Sequence, residues 1–188
     1  MSAPKTIVPA ASGRKCVFFD RDGIVNKSPG PGRYVTRWKD FRLIPEFPVC
    51  LRTVLQLGYQ AALVTNQRAV ARGLMSINDL EDIHRRLRRL LMSRYGLELL
   101  EIAYCPHNVH ECSCRKPQPG MLLALAAKYH LDLAASWMIG DSETDVEAGR
   151  RAGCRTVLVA GRAGGTRADE RAASMRALAK KISRIIRP

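Results

Sequence analysis

An apolar run near the start of the chain ends in two carboxylates, and this junction constrains the fold more than any other segment. Val17-Phe18-Phe19 is followed directly by Asp20-Arg21-Asp22-Gly23. Strand side chains alternate between two faces, so Asp20 and Asp22 leave the strand end on the same side. Like charges held so close are costly unless a cation lies between them or one carries a proton. The pattern indicates a nucleophile, an acid/base and a metal ligand at one strand end, or else two solvated aspartates that open a turn.

Segments typical of strands and of helices alternate along the chain, which predicts an α/β fold with a parallel sheet covered by helices. The predicted strands are Lys15–Asp20, Gln60–Thr65, Leu99–Tyr104, Ser136–Gly140 and Arg155–Ala160. The predicted helices are Pro45–Leu57, Ile77–Tyr95 with Ser76 as N-cap, Pro119–Tyr129, Glu143–Ala152 and, near the end, Ala168–Ile185. A length of 188 residues suits one domain over 15–188, preceded by a loose arm over 1–14.

Two segments interrupt this alternation. Gly23–Phe41 is rich in glycine and proline, which predicts a loop over the first strand end, with a small hairpin near Tyr34 and Val35 as one option. Cys105–Pro119 is also irregular, and something other than an apolar core must order it. In open parallel sheets ligands bind outside the carboxyl ends of the strands, so both loops are expected at the site.

The net charge of +14 admits nucleic acid, an acidic membrane surface or small anionic substrates as partners. Aromatic residues make up only 6% of the chain, which gives little support to stacking on bases, so we expect no nucleic-acid partner. No apolar run approaches the roughly 18 residues of a membrane span, and Met1–Arg14 lacks the apolar centre of a secretory signal. We therefore expect a cytoplasmic monomer without a membrane partner.

Four strand ends carry groups that phosphoryl transfer requires. Asp20 and Asp22 follow the first strand, Thr65-Asn66-Gln67 the second, Arg115-Lys116 the third and its loop, and Asp141 to Asp145 the fourth. They supply carboxylates, a hydroxyl with backbone donors, and an ammonium. Catalysis of phosphoryl transfer is mostly positioning and charge neutralisation, which these groups provide. For Lys116 and Asp141 the alternative is an ordinary surface ion pair.

In this order the four clusters resemble the motifs of the haloacid dehalogenase-like phosphatases, from about Lys15 to Ala160. The resemblance implies a Rossmann-like three-layer sandwich with a minimal cap, a loop flap only. It implies Asp20 as the nucleophile, which forms an aspartyl-phosphate, and Asp22 as the acid/base. It also implies that Thr65 and Asn66 bind the phosphoryl group and that Lys116 neutralises its charge. The implied Mg²⁺ ligands are Asp20, Asp141 and the Asp22 carbonyl, and Asp145 is implied to support that site. Because Asp22 must act as an acid, we expect its surroundings to raise its pKa.

Further motifs resemble the D-glycero-D-manno-heptose 1,7-bisphosphate phosphatases and the related histidinol-phosphate phosphatases. They are Asp20-Arg21-Asp22-Gly23, Ala71-Arg72-Gly73, Cys105-Pro106-His107, Cys112 to Pro117 and Pro119-Gly120-Met121. The resemblance implies removal of the 7-phosphate from a small phosphorylated sugar, with Arg115 and Tyr34 as substrate contacts. Histidinol phosphate is the first alternative substrate, and the 3′ end of a nucleic acid is a more remote one. Two departures are Arg68-Ala69, where the family has Ser-Gly, and Ile24 in place of threonine.

The six cysteines divide into a cluster and three single residues. Cys105, His107, Cys112 and Cys114 form two close pairs of soft ligands, enough for a tetrahedral structural Zn²⁺ site. His110 is a less favoured substitute ligand, and three reduced cysteines beside a surface histidine are the alternative. Four protein ligands leave no open position, so zinc is expected to order the loop and fix the direction of Lys116.

Overall fold

The computed structural model describes residues 13–161 and 165–187 of the chain. The strands are β1 (Cys16–Phe19), β2 (Gln60–Asn66), β3 (Glu101–Cys105), β4 (Trp137–Gly140), β5 (Arg155–Val159) and β6 (Glu170–Ala172). The helices are α1 (Phe47–Gln56), α2 (Ile77–Tyr95), α3 (Gly120–Tyr129), α4 (Glu143–Ala152) and α5 (Met175–Ile185). The strands form one sheet in the order β3-β2-β1-β4-β5-β6, and every neighbouring pair is parallel.

Helices cover both faces of the sheet, which confirms the expected Rossmann-like three-layer sandwich. Val17 and Phe19 of β1 pack in a core with apolar residues of α1, α2 and α5. Cys16 and Phe18, on the other face of the same strand, pack with residues of α3 and α4. β1 is therefore buried on both faces, as central strands of parallel sheets are.

The register of the central strands brings three chemically important strand ends together. Phe19, the last residue of β1, lies opposite Leu63 of β2 on one side and Ile139 of β4 on the other. The backbone N–H of Asp20 continues this ladder by donating to the Ile139 carbonyl at 2.9 Å. Asp20, Thr65 and Asp141 consequently lie at the same edge of the sheet.

The predicted final helix, Ala168–Ile185, is wrong in its first part. Glu170–Ala172 forms the short strand β6 beside β5, and the helix begins only at Met175. The Asp169 carboxylate anchors the strand by accepting hydrogen bonds from the Thr156 N–H and hydroxyl at 2.7 and 2.8 Å. Ser174 then caps α5 by accepting from the Ala177 N–H. A three-residue strand carries too little periodicity to compete with the helical pattern that follows it.

The other elements match the predictions within two residues, and Ser76 caps α2 as expected, in a capping box with Asp79. The optional hairpin at Tyr34 and Val35 does not form; a 3₁₀ helix follows at Trp38–Asp40. Most of the predicted arm, residues 1–12, lies outside the described residues. No helix among the described residues is long and apolar enough to cross a membrane.

Candidate active site

Lys116 lies buried at the centre of the three strand ends, and all its ammonium contacts are short. Its Nζ donates to Asp20 Oδ1 at 2.5 Å, to Asp145 Oδ1 at 2.6 Å and to the Val64 carbonyl at 2.7 Å. Two carboxylates and one carbonyl thus match the three N–H donors of an ammonium group. The fixed ammonium lies against the carboxylate predicted to be the nucleophile.

Asp145 connects this ammonium to the start of α4. Its Oδ1 faces Lys116, whereas its Oδ2 accepts from the Ser142 N–H at 3.1 Å and the Ser142 hydroxyl at 2.7 Å. The second oxygen completes a capping box at the helix N-terminus. Asp145 thus caps α4 and contacts Lys116, whereas its predicted support of the Mg²⁺ site stays a prediction.

Burial and neighbouring charges shift the protonation of this cluster. Burial raises the pKa of Asp20 to about 7, although Lys116 opposes the shift. Burial, with the nearby Asp145 carboxylate, raises the pKa of Asp141 to about 6. Burial alone would favour neutral Lys116, but Asp145 and Asp20 raise its pKa and keep it charged. The one ammonium leaves negative charge among the carboxylates uncompensated, which suits a bound cation.

The three carboxylates fit a Mg²⁺ site. One oxygen each from Asp20, Asp141 and Asp145 lies within 4.8 Å of the others, and carboxylate oxygens are ligands that Mg²⁺ prefers. Gly23 makes room for this grouping, since a Cβ at its position would lie 1.9 Å from Asp141 Oδ2. Its φ of +98° also favours glycine. The predicted ligation by the Asp22 carbonyl stays a prediction.

The prediction that the surroundings raise the Asp22 pKa is wrong. Burial acts in that direction, but the charge of the Arg21 guanidinium and the hydrogen bonds from Asn26, Arg21 and Gln67 outweigh it and lower the pKa. Arg21 Nη2 donates to Oδ1 and Oδ2 at 3.1 and 2.8 Å, Asn26 Nδ2 to Oδ1 at 2.8 Å, and Gln67 Nε2 to Oδ2 at 3.0 Å. The structure therefore holds Asp22 as a carboxylate.

Thr65 and Asn66, the last two residues of β2, make contacts that differ from the expected ones. The Thr65 hydroxyl is buried and accepts from Gln67 Nε2 at 2.8 Å, so Gln67 joins it to Asp22. The Asn66 amide exchanges two hydrogen bonds of 3.0 Å with the backbone of Lys116. Asn66, predicted as a substrate contact, lines the pocket but uses its amide to position Lys116.

A small pocket of about 130 Å³ opens above these groups, lined by Asp20, Asp22, Thr65, Asn66, Lys116, Ser142, Thr144 and Asp145. A second cavity of about 270 Å³ shares Asn66, Lys116 and Thr144 with it and includes Arg115. Arg115 thus lies beside the small pocket, and its contact with a substrate stays a prediction. Tyr34 lines neither cavity; its hydroxyl accepts from Arg72 Nη1 at 3.4 Å.

The predicted zinc ligands converge on one point in the Cys105–Pro119 loop. Cys105 Sγ lies 3.6 Å from His107 Nδ1 and 3.5 Å from Cys112 Sγ. Cys114 Sγ lies 3.4 Å from His107 Nδ1 and 3.2 Å from Cys112 Sγ. A regular tetrahedron with Zn–S bonds of about 2.3 Å separates its sulfurs by about 3.8 Å, close to these spacings. The four side chains therefore fit a zinc ion.

Sequence reasoning did not identify Arg21, Asn26 and Gln67 as site residues, although they surround Asp22. Arg21 directly precedes Asp22, and Gln67 lies two residues after Thr65, both within motifs described above. This closeness in sequence is the signal that could have identified them. Asn26 becomes a neighbour through a tight turn in which its carbonyl accepts from the Gly23 N–H at 2.7 Å.

Comparison with known proteins agrees with this site. A family model described as HAD-hydrolase-like matches residues 113–184. A D-glycero-β-D-manno-heptose-1,7-bisphosphate 7-phosphatase of Pseudomonas putida is 38% identical over 146 residues, covering 77% of this chain and 82% of that protein. Its namesake in Helicobacter pylori strain 26695 is 36% identical over 146 residues, covering 77% and 83%.

A solved structure extends the similarity to three dimensions. The D,D-heptose 1,7-bisphosphate phosphatase of B. bronchiseptica, complexed with magnesium and phosphate, has a TM-score of 0.78 at 31% identity, over 91% of this chain and 99% of that one. The fold and site thus define a phosphoric monoester hydrolase of the haloacid dehalogenase-like class. Within it, the chain belongs to the heptose-1,7-bisphosphate 7-phosphatase family.

Proposed function

We propose that this chain removes the 7-phosphate of D-glycero-D-manno-heptose 1,7-bisphosphate, with Mg²⁺ as its catalytic cofactor. The observation that carries the proposal is the contact between Lys116 Nζ and Asp20 Oδ1 beside the Asp141 carboxylate. A carboxylate can attack an anionic phosphoryl group only where cations offset their repulsion. The names of the relatives above supply the substrate.

In the proposed reaction an Asp20 oxygen bonds to phosphorus while the bond from phosphorus to the sugar oxygen breaks. Asp22 gives its proton to the departing sugar alkoxide. Water then attacks the aspartyl-phosphate, Asp22 takes a proton from that water, and inorganic phosphate leaves with Asp20 restored as a carboxylate. When bound, Mg²⁺ supplies positive charge that reduces the repulsion between carboxylate and phosphate.

The surroundings of Asp22 suit the second of its two roles. Arg21, Asn26 and Gln67 stabilise the carboxylate, which is the form needed to accept a proton from water. For the first role Asp22 must gain a proton when substrate binds. A phosphate that approaches the same pocket favours this, because a nearby negative charge raises a carboxyl pKa.

The adjoining cavity suits the remainder of the substrate. Arg115 lines it and donates through Nη1 to the His107 carbonyl at 3.3 Å. Guanidinium groups are suited to phosphate, so we propose that Arg115 faces the part of the sugar that bears the 1-phosphate. We further propose that Cys105, His107, Cys112 and Cys114 hold a structural zinc ion that orders the segment between Arg115 and β3.

A phosphate-release panel tests the substrate. It contains the α and β anomers of the heptose bisphosphate, histidinol phosphate and a 3′-phosphorylated oligonucleotide, each with Mg²⁺. We expect the highest kcat/KM on one of the heptose anomers, with the 7-phosphate released. A higher kcat/KM on histidinol phosphate or on the oligonucleotide would overturn the substrate proposal.

We also propose that the protein acts as a monomer in the cytoplasm. The free thiols of Cys105, Cys112 and Cys114 support a reducing compartment, in which a thiolate zinc site persists. Light scattering that shows a stable dimer would contradict the monomeric state.

A further inference from the structure

A buried arginine lies behind the acid/base residue and connects it to helix α2. Arg21 is 0% exposed, and its Nη2 donates to both carboxylate oxygens of Asp22. Its Nη1 lies 3.5 Å from Nε2 of His84, a residue of α2 that is 6% exposed. Among the described residues its Nε has no hydrogen-bond partner. Asp22 and His84 therefore hold the guanidinium from its two ends.

The chemistry of this contact fixes the state of His84. A guanidinium can only donate, so Nε2 must be the acceptor, and the ring must be neutral with its proton on Nδ1. Burial and the positive charge of Arg21 lower the pKa of His84 to about 3, which keeps the ring neutral at physiological pH. His84 can thus accept the hydrogen bond from Arg21 at physiological pH.

Helix α2 provides a rigid mount for His84. The capping box of Ser76 and Asp79 fixes its start, and Leu80 and Leu87, which flank His84 on the helix, are fully buried. A side chain locked by packing can hold a neighbouring group in one orientation. Asp22, in contrast, follows the strand end, and its side chain is 26% exposed.

We propose that Arg21 and His84 are positioning residues that hold the Asp22 carboxylate in the orientation needed for proton transfer to the sugar alkoxide. This inference rests on the proposed function, since it assumes that Asp22 is the acid/base. Neither residue lines the pocket of about 130 Å³ that contains Asp20 and Asp22. His84 acts through Arg21, and Arg21 acts through Asp22.

A purely structural role for the pair makes a different prediction. If Arg21 and His84 only stabilised the fold, their substitution would lower the rates for all phosphate esters equally. Positioning of a general acid matters only when the leaving group needs a proton. An alkyl phosphate needs one, whereas p-nitrophenyl phosphate releases a weakly basic phenolate that does not.

The test compares the rate of phosphoryl transfer in His84→Leu and wild type by rapid quench with Mg²⁺, using both ester types. The alkyl ester is the best substrate from the panel above, whichever compound that is, so a wrong heptose assignment does not affect the result. We expect transfer from the alkyl ester to slow by roughly tenfold to a hundredfold, the range for hydrogen bonds to charged groups. Transfer from p-nitrophenyl phosphate should change less than about twofold. Equal slowing for both esters, or no slowing for either, would overturn the proposal.

Two further variants keep the test valid if His84→Leu folds poorly. His84→Gln retains an acceptor for Arg21 and should recover most of the alkyl-ester rate, while Arg21→Lys loses the two-oxygen contact and should slow only that ester. Arg85→Gln is the matched control, because Arg85 lies on the same helix and its guanidinium faces Asp82. It should leave both rates unchanged. Failure of His84→Gln to exceed His84→Leu in a folded protein would contradict the proposal.

An open cavity of about 420 Å³ permits a chemical rescue, since His84 forms part of its wall with Glu81, Arg85 and Arg88. Imidazole added to His84→Ala should restore the alkyl-ester rate and leave Arg21→Lys unaffected. Absence of rescue at saturating imidazole, or equal stimulation of both variants, would count against the positioning role.

Discussion

The two candidate metal sites flank the same lysine but are held in opposite ways. The carboxylate site stands at the ends of β1 and β4, where Asp20 and Asp145 are buried and fixed by the ladder and a helix cap. The cysteine site joins Cys105, the last residue of β3, to three ligands in an irregular loop, of which His107 is exposed. Parallel-strand hydrogen bonds and a helix cap hold Asp20 and Asp145 without metal, whereas in the cysteine site Cys105 alone of the four ligands belongs to a strand.

The difference between the two sites would give their ions separate tasks. Lys116 stands two residues after Cys114 in the chain, and its ammonium reaches Asp20. An ordered loop therefore places the ammonium, and the strand ends place the carboxylates. The first site is expected to govern the reaction and the second to govern stability and alignment.

The largest expected effect is that of Asp20→Asn, which removes the nucleophile. Turnover of the sugar phosphate should fall by at least about a thousandfold, in line with losses of nucleophiles elsewhere. The fold should persist, because Lys116 retains Asp145 and the Val64 carbonyl. Phosphate release with Mg²⁺, alongside circular dichroism, checks both points, and residual turnover near the wild-type rate would exclude Asp20 as the nucleophile.

Gly23→Ala should damage the carboxylate site and spare the cysteine site. The new Cβ would collide with Asp141 Oδ2 and strain a backbone with φ of +98°. We expect the Mg²⁺ concentration for half-maximal activity to rise at least about tenfold, the cost of disturbing groups near a metal ligand. Zinc content should stay unchanged, as measured by elemental analysis of the same sample; equal loss of both metals would show that the sites are not independent.

Cys112→Ser should give the reverse pattern. Loss of a thiolate ligand should reduce bound zinc and lower Tm by several degrees, since structural zinc contributes directly to folding. We expect kcat to fall by about tenfold to a hundredfold, because Lys116 loses alignment. Ser113→Ala in the same loop is the control. Wild-type zinc content with unchanged Tm would contradict the assignment.

The two sites should also respond to pH with opposite signs. Folded Asp20 and Asp141 have pKa values of about 7 and 6, above the unfolded value near 3.8, so the folded state holds extra protons between these limits. In metal-free protein this contribution destabilises the fold as pH rises from about 4 to 7. Zinc binding by thiolates instead strengthens as pH rises. Unfolding measured across this pH range, with and without each metal, should separate the carboxylate effect from the zinc effect. Asp20→Asn should reduce the loss of stability with rising pH in the metal-free protein. An unchanged loss in that variant would contradict the role of Asp20.

The sequence predicts that the polar residues at the strand ends lie close together, because the strands of a parallel sheet end at the same edge. Asp20, Thr65 and Asp141 follow apolar runs, and parallel pairing brings such positions to one edge. The pKa of Asp22 was harder to predict, because two of the donors that lower it are Asn26, in a turn, and Gln67, which follows the end of β2. The strand β6 was not predicted, because the contact that anchors it joins the Asp169 side chain to Thr156 of β5. No local sequence pattern reveals such a tertiary contact.

The role of Asp20 as the nucleophile is tested most sharply by identifying the atom that accepts the phosphoryl group. Wild-type protein with Mg²⁺ and the heptose bisphosphate is quenched in acid during turnover, and its peptides are examined by mass spectrometry. We expect a labile phosphoryl group on Asp20, absent from Asp20→Asn and present in Asp145→Asn if that variant binds substrate. Phosphorylation of another side chain, or turnover without any phosphorylated Asp20, would contradict it.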